Sequence, residues 1–189
     1  MFYREEDWDR ALNAFNKSVQ INPDWIWSRE LKAIVLFRMG DREQAKIEFD
    51  RVLLLAPNWS RIFSDKAILY RLDGELAEAE EYALQALEMD ENNPLVHYNY
   101  GVVKDFGGDR HAARTHYEHA LELEKDLPAA YYNLACGYAM EEREDEALDL
   151  LAKSIELERA FYREAMKDKD FDLIRERDGF QQLMNRFRP

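Results

Sequence analysis

Small and bulky apolar residues alternate with polar ones along this chain at a fixed interval, and that interval predicts paired helices. Ala11, Ala45, Ala79, Ala113 and Ala147 follow one another at steps of 34 residues. Four positions after each stand Phe15, Phe49, Ala83, Tyr117 and Leu151; seven positions after, Ser18, Val52, Ala86, Ala120 and Ser154. Steps of four and three return to one helical face, so each segment reads as an amphipathic helix with a packed stripe. Small residues in the stripe let a neighbouring helix come close, and the bulky ones fill the space between helices. A further helix is expected ahead of each of the last four, starting near Trp27, Arg61, Leu95 and Ala129. Ala33, Ala67, Gly101 and Ala135, again 34 apart, then sit at the tight crossing inside each pair.

Glycine and proline punctuate the same period. Gly40, Gly74 and Gly108 fall between paired helices, where a left-handed residue ends a helix at little cost. Pro23 and Pro57 mark exits toward the next unit, while Pro94 and Pro128 stand in the first turn of the following helix. The pattern weakens at both ends. "MFYREED" is too short to form a partner for the first helix, which leaves a face including Phe15 short of intrachain cover. Met1, Phe2 and Tyr3 folding back as a partial cap is one solution; cover by an upstream repeat or another protomer is the other. At the far end Phe161 and Ala165 continue an amphipathic helix, and Phe171, Leu173, Ile174, Phe180 and Leu183 add apolar contacts among many charges.

These segments resemble tetratricopeptide repeats, most clearly in "AAYYNLACGYAMEEREDEALDLLAKSIEL" and "LVHYNYGVVKDFGGDRHAARTHYEHALEL". The resemblance implies an all-α fold, a right-handed alpha-alpha superhelix of the tetratricopeptide solenoid type. Residues 1–160 would form the array, with an incomplete first unit and about four full units, and residues 161–189 a C-terminal capping helix and tail. "DKDFDLIRERDGFQQL" resembles the segment that closes bacterial arrays of this family, with a separate docking peptide as the alternative reading. Lys32, Lys66 and Lys104 depart from apolar family positions; their stems are expected to bury while the ammonium reaches water.

A solenoid of helix pairs leaves an inner wall supplied mainly by the first helix of each pair. The phase places Trp27, Glu30, Ile34 and Phe37 on that wall, then Arg61, Ser64, Asp65, Ile68 and Leu72. Leu95, Tyr98, Asn99 and Val102 follow, and lastly Ala129, Tyr132, Asn133 and Cys136. Trp27, Tyr98 and Tyr132 can bury rigid area and Arg61 can grip a carboxylate or a carbonyl, a composition suited to a peptide segment or helix of another protein. Asn99 and Asn133 stand 34 apart, and in this family asparagines at that point commonly hold a bound main chain. Stabilising the neighbouring turn is the equally open alternative. The lysine and asparagine clamp with which some members of the family hold a partner's terminal carboxylate is missing from the pairs Glu30 and Ile34, Ser64 and Ile68, and Tyr98 and Val102.

Charge and chemistry narrow the picture further. A net charge of -13, with basic residues scattered among carboxylates, disfavours nucleic acid. Cys136 is the only cysteine, which excludes an intrachain disulfide and suits a reducing, cytoplasmic setting. Apolar runs such as "VLLLAP" are too short for membrane insertion. His111, His116 and His119 lack an HExxH or cysteine partner and are expected at the side or outside of their helix, so no metal is expected. Gly107 and Gly108 lack a GK[ST] ending, Cys136 has no histidine nearby in sequence, and the paired carboxylates fit solvated faces. No cofactor and no enzymatic activity are expected. The leading expectation is a protein-binding scaffold or adaptor. Self-association through the N-terminal edge near Trp8, Trp25, Trp27 and Trp59, or service as a regulatory arm of a larger protein, are the alternatives.

Overall fold

The expected steps of four and three residues become helices in the computed structural model, which describes residues 5–188, with side chains from Asp7 onward. Among the described residues every regular element is helical. In chain order they are α1 (Glu5–Ile21), α2 (Ile26–Met39), α3 (Arg42–Leu55), α4 (Ser60–Asp73), α5 (Leu76–Met89), α6 (Pro94–Phe106), α7 (Arg110–Leu123), α8 (Pro128–Met140) and α9 (Glu144–Leu157). A short α10 (Ala160–Ala165), a 3-10 turn at Lys169–Phe171 and α11 (Asp178–Arg186) complete the chain. Helices pair as α2 with α3, α4 with α5, α6 with α7 and α8 with α9. The chain divides into two compact units, residues 1–91 and 92–189.

In the first unit Ala33, Ala45, Phe49, Val52, Ile62 and Leu69 form a buried core flanked by Leu12, Ile26, Ile34 and Trp59. Ala67 and Ala79 are fully buried at the next crossing. Burial of one side chain the size of Phe49 contributes about 2–3 kcal/mol, so these few large residues carry much of each pair's stability. Phe15 on α1 is half-buried. Met1, Phe2 and Tyr3 lie outside the described residues.

In the second unit one core of Ala113, Tyr117 and Leu134 joins α6, α7 and α8. A larger one runs from Ala135, Ala139, Ala147 and Leu151 to Phe171, Ile174, Phe180 and Met184, so the last helices and the 3-10 turn pack onto α8 and α9.

The turns explain why the period is strict. Gly40, Gly74 and Gly108 adopt φ values of 85°, 80° and 86°, and the fourth copy places Glu142 there at φ 58°. That left-handed conformation costs an L-residue about 1–2 kcal/mol, and the Glu142 carboxylate is held by Arg177. One position later Asp41 and Asp109 cap the next helix by accepting from Gln44 and Ala112 backbone N–H groups, whereas Glu75 and Arg143 do not cap.

Lys66 corrects one expectation. Its ammonium does not reach water: the residue is buried, donating to Asp50 and, at 3.0 Å, to the Tyr82 hydroxyl. It also sits 4.2 Å from the Tyr82 ring centroid. A buried ammonium is tolerated there because a carboxylate, a hydroxyl and an aromatic face replace its hydration. Lys32 resolves the same conflict by pairing with buried Glu48, which also receives Arg29 and Arg51. Burial would raise the Glu48 carboxyl, but those cations leave it below its ordinary value. Among the described residues no helix is long and apolar enough to cross a membrane.

Candidate functional site

In the first unit, α2 and α4 bring one half of the expected wall together. Trp27, on the first turn of α2, is 52% exposed and meets Trp59 edge-on with ring centroids 4.6 Å apart. One turn further on, Glu30 is buried, and Arg61 of α4 approaches its Oε1 through Nε at 3.1 Å while remaining half-exposed. Asp65 stands one turn beyond Arg61, and Ile34 and Ile68 flank the carboxylates, half-buried. Ser64 and Glu30 are buried, so they line this wall from beneath and do not present open surface.

The electrostatics here are unbalanced. Neither Glu30 Oε1 or Oε2 nor Asp65 Oδ2 has a hydrogen-bond partner among the described residues, although all three atoms are buried. Burial pushes the Asp65 carboxyl up to about 6, opposed by Arg61, reinforced by Glu30 and opposed again by Arg38. Burial likewise raises the Glu30 carboxyl, against the pull of Arg61. Arg61 acts on both carboxylates and Arg38 on Asp65, yet three buried carboxylate oxygens receive no hydrogen bond among the described residues.

In the second unit, Leu95 is exposed at the start of α6 while Tyr98, Asn99 and Val102 are half-buried on the same helix. Tyr98 tilts onto Tyr117 with centroids 5.8 Å apart. Asn133, half-buried on α8, lines a shallow recess with Asp105, Arg110, Arg114 and Gly137.

Tyr132 and Cys136 require a correction, because their place on the wall is taken by the chain's own C-terminal segment. The Phe161 ring stacks on Tyr132 at 4.7 Å between centroids, and Phe171 meets it edge-on at 5.8 Å. The Tyr132 hydroxyl donates to Asp168 Oδ2 at 2.8 Å, and the Cys136 thiol points to the same oxygen at 3.9 Å. Both residues are core, not open surface. Cys136, Asp168 and Asp170 bring one thiol and two carboxylates within 4.8 Å of one another. Burial raises the thiol, and Asp168, Asp170 and Asp105 raise it further.

His116 differs from expectation, whereas His111 is exposed. His116 is half-buried against His97, with Nδ1 atoms 3.1 Å apart, and the Tyr100 ring lies edge-on to it. Burial lowers the His116 imidazole below its usual value, and the neighbouring His97, His119 and Lys104 lower it further. His97 was not singled out in sequence. Its signal was available, because it lies four residues before Gly101 and so shares the face that meets α7.

Residues 60–93 and 95–127 match the tetratricopeptide repeat model. No curated protein sequence matches the chain at a significant level. Among solved structures, MamA is similar at 17% identity and a TM-score of 0.62, over 86% of this chain and 99% of that one. TTC0263, a thermophilic tetratricopeptide repeat protein of Thermus thermophilus, is 23% identical with a TM-score of 0.74, covering 94% and 91%. YrrB, described as having an unusual peptide-binding site, is 20% identical with a TM-score of 0.59, covering 92% and 90%.

Proposed function

The chain carries tetratricopeptide repeats at residues 60–93 and 95–127, and from that premise we propose that it is a non-enzymatic scaffold or adaptor. It holds a peptide segment or helix of another protein against the inner helices of its pairs. The observation that carries this reading is the exposed Trp27 beside half-exposed Arg61 on adjacent inner helices, a rigid aromatic anchor next to a planar donor. Ile34, Asp65 and Ile68 extend that surface in the first unit. Leu95, Tyr98, Asn99, Val102 and Asn133 offer the equivalent surface in the second, without Tyr132 and Cys136. Asn99 and Asn133 supply amides for a bound main chain. The peptide-binding site of YrrB, on a similar fold, supports the same mode.

The test is partner capture by the parent protein and by the Asn99→Ala, Asn133→Ala double variant. Loss of the captured partner with unchanged helicity supports the reading. Loss of helicity together with binding assigns the amides to turn stabilisation, and undiminished capture removes them from recognition. A second reading, self-association at the N-terminal edge, is favoured by Ile21 at 86% and Trp25 at 50% exposure. Its check is solution scattering over a wide concentration range, where a constant monomer mass would sink it.

A further inference from the structure

The inner face of α2 and α4 is short of hydrogen-bond donors, although Arg61 and Arg38 act on its carboxylates through their charge. Glu30 is 1% exposed, and no donor among the described residues reaches its Oε2 or the buried Asp65 Oδ2. A buried carboxylate oxygen left without a donor is costly, and such groups persist where another molecule completes them. Arg61 is the only cation ion-paired with Glu30 among the described residues, through its single Nε, and its side chain is 53% exposed. A guanidinium bound so loosely can swing aside. Trp27 lies three residues before Glu30 and therefore one turn away on the same face of α2, with half its surface in water. An aromatic face beside paired carboxylates suits the aliphatic stem and charged head of a long basic side chain.

We propose that the carboxylates of Glu30 and Asp65, beside the Trp27 ring, form a socket for a cationic side chain of a bound peptide, an arginine or lysine. The proposal rests on the peptide-binding reading above and names the chemistry of its partner: a basic segment. Arg61 occupies the mouth of the socket in the free protein and moves toward solvent when the ligand's cation enters. The chain's net charge of -13 favours encounter with such a segment. The raised carboxyls of Glu30 and Asp65 fit the same picture, since a second cation would draw both back to the ionised form.

The experiment uses a capped peptide of about nine residues with a central arginine, and its citrulline analogue, which keeps the shape and removes the charge. Calorimetry on the full chain should show the arginine peptide binding at least about tenfold more tightly than the citrulline peptide, a difference of about 1.4 kcal/mol. Asp65→Asn and Glu30→Gln should each abolish that preference while circular dichroism stays unchanged. Should a carboxylate variant fail to fold, the parent still decides: the arginine peptide must shift the Trp27 indole resonance and the citrulline peptide must not.

Equal affinity for the two peptides overturns the socket and leaves the scaffold reading standing. Tighter binding of a central-glutamate peptide also overturns it, as does a preference for arginine that survives both carboxylate variants. Absence of arginine-peptide binding up to millimolar concentration overturns it as well. The scaffold reading is tested separately, by partner capture with the parent protein, and the role of its amides by the asparagine double variant.

Discussion

Replacing Gly101 with alanine would place a Cβ 2.6 Å from Cε1 and 2.7 Å from Cδ1 of Tyr117, and 3.1 Å from the Ala113 carbonyl oxygen. Tyr117 is buried at 2% exposure, so its ring cannot simply step aside. Overpacking of this kind costs about 1–3 kcal/mol. Against it stands the gain of about 0.5–1 kcal/mol from removing glycine from a helix interior. The steric cost wins at the middle of both ranges, and the net loss of about 0–2.5 kcal/mol, centred near 1 kcal/mol, lowers the melting temperature by up to about 10 °C for a chain of this size. Two other pairs show the compensation, alanine at 67 and 135 with Ala83 and Leu151 sixteen positions later, whereas Ala33 accommodates the ring of Phe49 at the position where this pair has Tyr117. A Tyr117→Leu change should therefore relieve Gly101→Ala. The assay is a double-mutant cycle by thermal and urea unfolding, with an expected interaction of at least about 1 kcal/mol. A single variant that melts at or above the parent, or a cycle that closes additively, would refute the packing argument.

Further outcomes follow from the same contacts. Asp65 has its folded value raised from 3.8 to about 6, so it favours folding fully below about pH 4 and loses that contribution as pH rises through about 6. The stability advantage of Asp65→Asn over the parent should thus shrink by about 2–2.5 kcal/mol between pH 8 and pH 4, read by urea unfolding. Glu142→Gly removes an L-residue from the left-handed turn and should stabilise the chain by about 1 kcal/mol in thermal melts, since the exposed pair with Arg177 contributes less than that. Tyr132→Phe takes the hydroxyl from Asp168 and should destabilise the chain by about 1–2 kcal/mol in urea titrations, with arginine-peptide affinity unchanged.

Much of this architecture was legible because the packing repeats. Ala45, Ala79, Ala113 and Ala147 recur at one spacing since each meets the same geometry, and Gly40, Gly74 and Gly108 recur since each turn needs a positive φ. The helices expected to start near Trp27, Arg61, Leu95 and Ala129 start one residue earlier, at Ile26, Ser60, Pro94 and Pro128. What was hidden lies where a residue's fate depends on something outside its own period. Tyr132 has the phase of a wall residue, but Phe161, Asp168 and Phe171 arrive from a segment with no counterpart in the other repeats and cover it. Lys66 looked like a side chain reaching for water until Tyr82 and Asp50 came across from neighbouring helices. The donor deficit at Glu30 and Asp65 was invisible for the same reason, since it depends on which groups fail to arrive.

Photo-crosslinking tests partner recognition on the inner helices most directly, with benzoylphenylalanine placed at Trp27 in one preparation and at Leu54 in another. Leu54 is 83% exposed on α3, away from the inner helices, and serves as the reference surface. Adducts with a captured partner or with the arginine peptide should form from position 27 and not from position 54. Adducts from position 54 alone would place recognition on the second helix of a pair and contradict the account.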